Sequence, residues 1–246
     1  MKKILLICSL LTTTYTYANL GHRAGGDYYR NMPENSLIVL QESLTGKETG
    51  YAVQNSDQFL YLEFDVYETK DNIPVVFHDK RIKGLIPYNA NNKAAYAVIK
   101  KNRKVPKYKK LRIKDLTLAE LKSFRLWGEF DQQVPTVQEF LDTSRDFGLK
   151  KPMIVELKYL YTDIARTALL NMVEEYKDNY ANHAAIILES NYDFGADVKV
   201  AFLGFRKNFK KSLGRSAQRK KWCKKIIQAG LHGVFRPRKH AINYCD

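Results

Sequence analysis

Phe59-Leu60-Tyr61-Leu62-Glu63-Phe64-Asp65-Val66 alternates with a period of two. A β-strand over this run puts Leu60, Leu62, Phe64 and Val66 on one face and Phe59, Tyr61, Glu63 and Asp65 on the other. The first face is wholly apolar and can pack beneath helices. The second ends in two carboxylates at the C-terminal end of the strand, where barrel enzymes carry their chemistry.

Working outward, Asn19 to Arg23 reads as a short first strand, and Pro33 opens a helix carrying Leu37, Leu40 and Leu44 at helical spacing. Ile73 to His78 reads as a third strand after the polar turn Lys70-Asp71-Asn72. A basic, tyrosine-containing insertion with little periodicity runs from Lys80 to Lys114. Thr117-x-x-Glu120 is a capping box with Leu116 and Leu121 placed as a hydrophobic staple, and Thr136-x-x-Glu139 repeats the spacing. Met153 to Lys158 is a strand with Ile154, Glu156 and Lys158 on one face. Asp163 to Lys177 is a helix with Ile164, Ala168, Leu169, Met172, Val173 and Tyr176 on one side. Ala184 to Ser190 and Val198 to Leu203 read as strands, Ser216 to Ala229 as a lysine-rich helix, and His232 to Phe235 as a last apolar step. Alternating strands and helices favour βα units and a parallel sheet, an α/β class.

The 246 residues suit one large domain or one barrel, and 45% hydrophobic content supplies a core. Lys2 and Lys3, the apolar run Ile4 to Leu11 and the small residues of Thr16-Tyr17-Ala18 predict a secretory signal over residues 1–18, with the folded domain spanning 19–246. That predicts export, to a periplasm or out of the cell. The apolar run is too short to span a bilayer. Removing Lys2 and Lys3 lowers the formal charge from +15 to +13. An anionic partner fits such a balance: a phosphate ester, an acidic membrane surface or nucleic acid. Solvated surface lysines fit it equally well. The lysine-rich stretch that includes Lys207, Lys210, Lys211, Lys220 and Lys221 has no accompanying nucleic-acid motif, so a nucleic-acid partner is not expected. Cys223 and Cys245 are either a pair, which export permits, or two separate thiols.

Strand ends carry the candidate chemistry. Hydrolysis of a phosphodiester needs charge neutralisation at phosphate, a base for the nucleophile and an acid for the leaving alkoxide. Glu63 and Asp65 share a face, and Glu156 lies at the same end of another strand. Such an all-oxygen set suits Ca²⁺ or Mg²⁺. His22 and His78 follow the first and third strands and can divide acid and base roles near neutral pH. Arg23 and Lys158 can hold phosphate oxygens, one as a fork and the other as a point charge. Each group alone has a plainer reading, as an ion pair, a turn or a helix start. Their joint placement at strand ends points to a site.

The residues resemble the glycerophosphodiester phosphodiesterase family. The resemblance runs in order from Gly21-His22-Arg23-Ala24-Gly25-Gly26 through Pro33-Glu34-Asn35-Ser36, Glu63-Phe64-Asp65-Val66 and Thr69-Lys70-Asp71. It continues through Pro74-Val75-Val76-Phe77-His78-Asp79, Asp115 to Leu121, Val134 to Leu141 and Val155-Glu156-Leu157-Lys158. It implies a TIM-type (β/α)8 barrel with an insertion, residues 80–114, after strand 3 and bordering the substrate. It also implies one divalent metal, Ca²⁺ or Mg²⁺, on Glu63, Asp65 and Glu156. His22 and His78 become acid and base, Arg23 and Lys158 phosphate contacts, and Glu34 a supporting residue. The implied reaction cleaves a small glycerophosphodiester to an alcohol and glycerol 3-phosphate.

The C-terminal part is atypical. The family's Trp-Thr-x-Asn sequence is absent, and only residues 191–197 join the expected fifth and sixth strands. Seven strands are expected in all. Two other readings use the same features. One is a sphingomyelinase-D-like diesterase acting on intact phospholipid, whose basic surface would meet an anionic bilayer. The other is a non-enzymatic anion-binding protein.

Overall fold

A computed structural model describes residues 19–151, 153–179, 186–190 and 200–202. The expected leader, the lysine-rich helix 216–229, the step 232–235, Cys223 and Cys245 lie outside them. The described sheet has five strands: β1 (Leu62–Glu68), β2 (Pro74–Val76), β3 (Met153–Tyr159), β4 (Ile186–Ser190) and β5 (Val200–Phe202), in the spatial order β2-β1-β3-β4-β5. β1, β3, β4 and β5 run parallel. This is the α/β arrangement that the alternating pattern predicts.

Two expectations about strands change. β2 is antiparallel to β1, pairing Val66 with Val76 and Glu68 with Pro74. The turn Thr69–Asn72 is too short for a helical crossover, so the chain returns as a hairpin. Asn72 takes a left-handed conformation at φ 63°, Thr69 N–H donates to the Ile73 carbonyl, and Ile73 N–H donates to the Thr69 hydroxyl. Residues 19–23 form no strand, and 22–25 close a short 3₁₀ turn. Asn19 takes over the pairing that a ladder would have supplied. Its Nδ2 donates to the Tyr61 carbonyl, and its Oδ1 accepts from the N–H groups of Gly21, Leu60 and Tyr61.

Five helices are described: α1 (Leu37–Thr45), α2 (Ala90–Asn102), α3 (Leu118–Lys122), α4 (Val137–Asp146) and α5 (Asp163–Asn179). Ser36, rather than Pro33, starts α1. Its hydroxyl caps the Val39 N–H, leaving Pro33–Asn35 as a turn. Both capping boxes form as the spacing predicts, with Thr117 and Glu120 on α3 and Thr136 and Glu139 on α4. Leu116 and Leu121 are fully buried in the same apolar cluster. The stretch 80–114, whose sequence periodicity is weak, contains α2.

Leu62, Phe64 and Val66 turn into one core with Val39, Leu40 and Leu44 of α1, Val137, Phe140 and Leu141 of α4, and Ala165, Leu169 and Val173 of α5. Leu60 precedes the strand and is 41% exposed. Ile164, expected on the buried side of α5, is 67% exposed, and Ala165 takes its place. The helices therefore cover one face of β1 and leave Glu63 and Asp65 on the other.

Candidate functional site

Strand pairing assembles the acidic centre. In the parallel register of β1 and β3, Asp65 lies opposite Glu156 and Glu63 opposite Ile154. Register partners share a face, so Asp65 and Glu156 meet side by side with Glu63 two residues along. Oxygens of the three carboxylates lie within 4.8 Å of one another. Glu63 and Asp65 are each only 1% exposed. In the β3–β4 register, Glu156 pairs with the backbone position of Glu189.

The Gly21–Gly26 loop reaches this centre by a close backbone approach. The Gly21 carbonyl accepts from Glu63 N–H at 2.9 Å. A Cβ on Gly21 would lie 2.0 Å from the Tyr61 carbonyl oxygen, so no larger residue fits. Arg23 and Ala24 then adopt left-handed conformations, φ 51° and 61°. Such non-glycine conformations cost on the order of 1 kcal/mol each and persist where the surroundings enforce them. Here the Arg23 N–H donates to Glu63 Oε2 at 2.8 Å, which both satisfies the amide and fixes the carboxylate.

His22 is 6% exposed. Its Nδ1 lies 2.6 Å from Asp27 Oδ2, and its Nε2 lies 3.6 Å from Glu63 Oε2. A carboxylate only accepts, so Nδ1 carries the proton, and Nε2 faces the acidic centre.

On the other side, Arg23 links two groups. Its Nη1 donates to Glu34 Oε2 at 2.6 Å, and its Nη2 donates to His78 Nε2 at 2.7 Å. Because guanidinium never accepts, His78 Nε2 presents its lone pair and Nδ1 holds the proton, 3.0 Å from Asp79 Oδ1. Glu34 Oε1 lies 3.7 Å from the same Nδ1. Burial opposes the charge on Arg23, but Glu34, Asp65 and Asp27 outweigh it, and the guanidinium is held protonated above its already high ordinary value.

Lys158 sits inside the acidic centre. Its Nζ lies 3.0 Å from Asp65 Oδ1, as an ion pair rather than a well-directed hydrogen bond, and contacts Glu156 Oε1. Burial acts to discharge the ammonium, but Asp65 and Glu156 outweigh it and raise its pKa. Asn35, 1% exposed and at φ 59°, donates from Nδ2 to Asp65 Oδ2 at 2.9 Å. Its Oδ1 is buried and has no hydrogen-bond partner among the described residues.

Two buried carboxylates and a partly buried third, closely spaced and in contact with an ammonium, form a hard oxygen donor set that fits a divalent cation of the Ca²⁺ or Mg²⁺ kind. Glu63, Asp65 and Glu156 would hold it. All eight residues singled out by sequence, His22, Arg23, Glu34, Glu63, Asp65, His78, Glu156 and Lys158, converge here. Sequence reasoning gave no role to Asp27, Asn35 or Asp79. Asn35 lies within Pro33-Glu34-Asn35-Ser36, where Pro followed by Asn signals a turn. Asp79 adjoins His78, but nothing local marks Asp27.

Residues 22–219 match the sequence profile of the Glycerophosphoryl diester phosphodiesterase family. No curated protein matches the chain. Among solved structures it is similar to candidate glycerophosphoryl diester phosphodiesterases from Agrobacterium tumefaciens and Silicibacter pomeroyi. The first is 14% identical, with a TM-score of 0.52, over 87% of this chain and 72% of that one. The second is 18% identical, also with a TM-score of 0.52, over 89% and 74%. These likenesses concern the fold. Against a glycerophosphoryl diester phosphodiesterase domain from Mycobacterium tuberculosis, the identity is 12% and the TM-score 0.44, over 73% of this chain. This chain spans only 57% of that one's length.

Proposed function

The chain belongs to the glycerophosphoryl diester phosphodiesterase family, a family of TIM-barrel phosphoric diester hydrolases, and on that premise we propose that it cleaves glycerophosphodiesters to an alcohol and glycerol 3-phosphate. The observation that carries the reading is the acidic triad Glu63, Asp65 and Glu156, with His22 against Glu63 and His78 joined to it through Arg23. A divalent cation bound by the triad would neutralise charge on a phosphate oxygen.

The chain's own residues divide the remaining work. His22 and His78 both direct Nε2 toward the site, with Nδ1 anchored by Asp27 and Asp79 respectively. One takes the proton of the attacking nucleophile on its Nε2, and the other, entering as the imidazolium, gives its Nε2 proton to the leaving alkoxide. Arg23, held by Glu34, presents its fork to phosphate oxygens in exchange for His78. Lys158 leaves the carboxylates and adds a point charge beside phosphate. Asn35 holds Asp65 in place.

Residues 80–114 act as the insertion after the third strand-like segment and border the substrate. The insertion and the atypical C-terminal part together read the end of the substrate away from the phosphate. Residues 1–18 act as a secretory signal, so the enzyme works in a periplasm or outside the cell.

The test is release of glycerol 3-phosphate from glycerophosphocholine and glycerophosphoethanolamine, with and without chelator. Chelator-insensitive turnover overturns the metal assignment. Unchanged turnover by His22→Ala overturns the acid–base assignment.

A further inference from the structure

Between Lys80 and Lys114 the chain has thirteen lysines and arginines and no aspartate or glutamate, which is 13 of its net +15. Such concentration is not a diffuse lysine excess. Among the described residues, only Arg103 and Arg112 of these cations pair with carboxylates, Glu120 and Asp115.

The segment is folded rather than loose. Ile82, Ile86, Ile99, Leu111 and Ile113 are buried with Leu116, Leu121 and Phe124 in a core of their own. The cations therefore project from a fixed surface. Both ends of the segment are rooted beside the site. Lys80 Nζ lies 5.4 Å above the Tyr159 ring and Lys114 Nζ 4.8 Å above the Tyr161 ring, just beyond Lys158 on β3.

We propose that this segment docks the protein on an anionic lipid bilayer, with α2 lying along the surface. Charge complementarity supplies the attraction, since juxtamembrane cations each strengthen binding to anionic lipid. The exposed apolar groups select a bilayer over a soluble polyanion. Val98 is 60% exposed on α2, and Tyr88, just before it, is 54% exposed. Ala90, Ala94, Ala97, Val98 and Lys101 share the outward side of α2, with Lys93 and Lys100 exposed beside them. A lysine-rich polar rim around an apolar strip suits the headgroup boundary. No helix of the described residues is long and apolar enough to cross a membrane, so the contact lies on the surface.

A nucleic-acid strand is less well served. Of the segment's three tyrosines, Tyr96 and Tyr108 are 9% and 8% exposed, which leaves Tyr88 as a single open ring where successive bases need several. Two of the three arginines are already engaged by carboxylates.

The experiment is flotation of the purified protein with vesicles of phosphatidylcholine alone or mixed with phosphatidylglycerol. The expected result is salt-sensitive binding to the mixed vesicles only. K93Q/K100Q/K101Q/K104Q lowers the partition coefficient by roughly a hundredfold or more, at about fivefold per lysine. The control K207Q/K210Q/K211Q/K220Q still binds. Val98→Ser lowers vesicle binding severalfold and leaves retention on a heparin column unchanged.

Equal binding to both kinds of vesicle overturns the proposal, as does wild-type binding by the first quadruple variant. Preferential binding to an oligonucleotide over mixed vesicles also overturns it, in favour of a polyanion site. Flotation requires no catalysis and is read whether or not the protein releases glycerol 3-phosphate. Failure here is therefore distinguishable from failure of the proposed activity.

Discussion

Lys158→Met removes the one ammonium that, among the described residues, lies between Asp65 and Glu156 of the triad. Oxygens of the three carboxylates lie within 4.8 Å of one another. At an effective dielectric constant of about 20, each ionised pair repels by at least ~3.5 kcal/mol, and three pairs by roughly 10 kcal/mol. On the same footing a cation 3.0 Å from Asp65 is attracted by about 5 kcal/mol, and its contact with Glu156 contributes a similar amount. One lysine thus offsets nearly all the repulsion. Without it the carboxylates relax by taking up protons and water, so the net loss is smaller, about 3–5 kcal/mol, as for other buried ion networks that lose a partner. For a chain of this size that lowers Tm by roughly 6–20 °C.

The assay is thermal unfolding by circular dichroism, in chelator and in millimolar Ca²⁺ or Mg²⁺. Lys158→Met melts well below the parent in chelator, and the divalent cation restores most of the difference. An equal deficit in both conditions refutes the reasoning, because the triad would then not be a cation site. A variant as stable as its parent in chelator refutes it too, because the carboxylates would then not depend on Lys158.

Asp27→Ala frees His22 Nδ1 from its 2.6 Å contact. Steady-state kinetics should show kcat lower by about 10–100-fold, as for a misoriented reacting group, with KM little changed. Phe64→Ala empties a fully buried position whose ring lies 4.5 Å from that of Phe140, and urea unfolding should show a loss of about 3–5 kcal/mol. The hydrogen bonds from Arg103 hold the Glu120 carboxyl below its ordinary 4.5. Its contribution to stability is therefore complete above the unfolded value and lost as pH falls from there through the folded one. Glu120→Gln should flatten that acid limb in melts recorded from neutral pH downward.

Parts of the molecule were legible wherever the deciding interactions are local. The alternation of Leu62-Glu63-Phe64-Asp65-Val66 set both the buried and the acidic faces of β1, because the two-residue period follows from backbone geometry alone. The capping boxes at Thr117 and Thr136 marked true helix starts for the same reason, since each closes within four residues. Local reading misled where another segment competed. Asn19 to Arg23 looks like a strand, but the Asn19 side chain supplies the pairing and the Arg23 amide turns to Glu63. α2 was missed because its face is mostly alanine, asparagine and lysine, and its few buried groups, Asn92, Tyr96 and Ile99, give weak periodicity.

The amino-acid sequence by itself determined which groups are available: two histidines, three carboxylates, an arginine and a lysine at strand-like ends, together with a segment carrying cations and no anions. Only the tertiary structure decided how they meet. The register of β1 on β3 brings Asp65 beside Glu156. The left-handed turn at Arg23 sets His22 against Glu63 and spans Arg23 between Glu34 and His78. Lys158, which the sequence suggested for phosphate, rests between two carboxylates. Asp27 and Asn35 gain their places only through partners distant along the chain or around a turn. Periodicity and capping are properties of neighbouring residues. Register and charge pairing come from packing elements far apart in sequence, and the energy that selects among those packings is spread over the whole core.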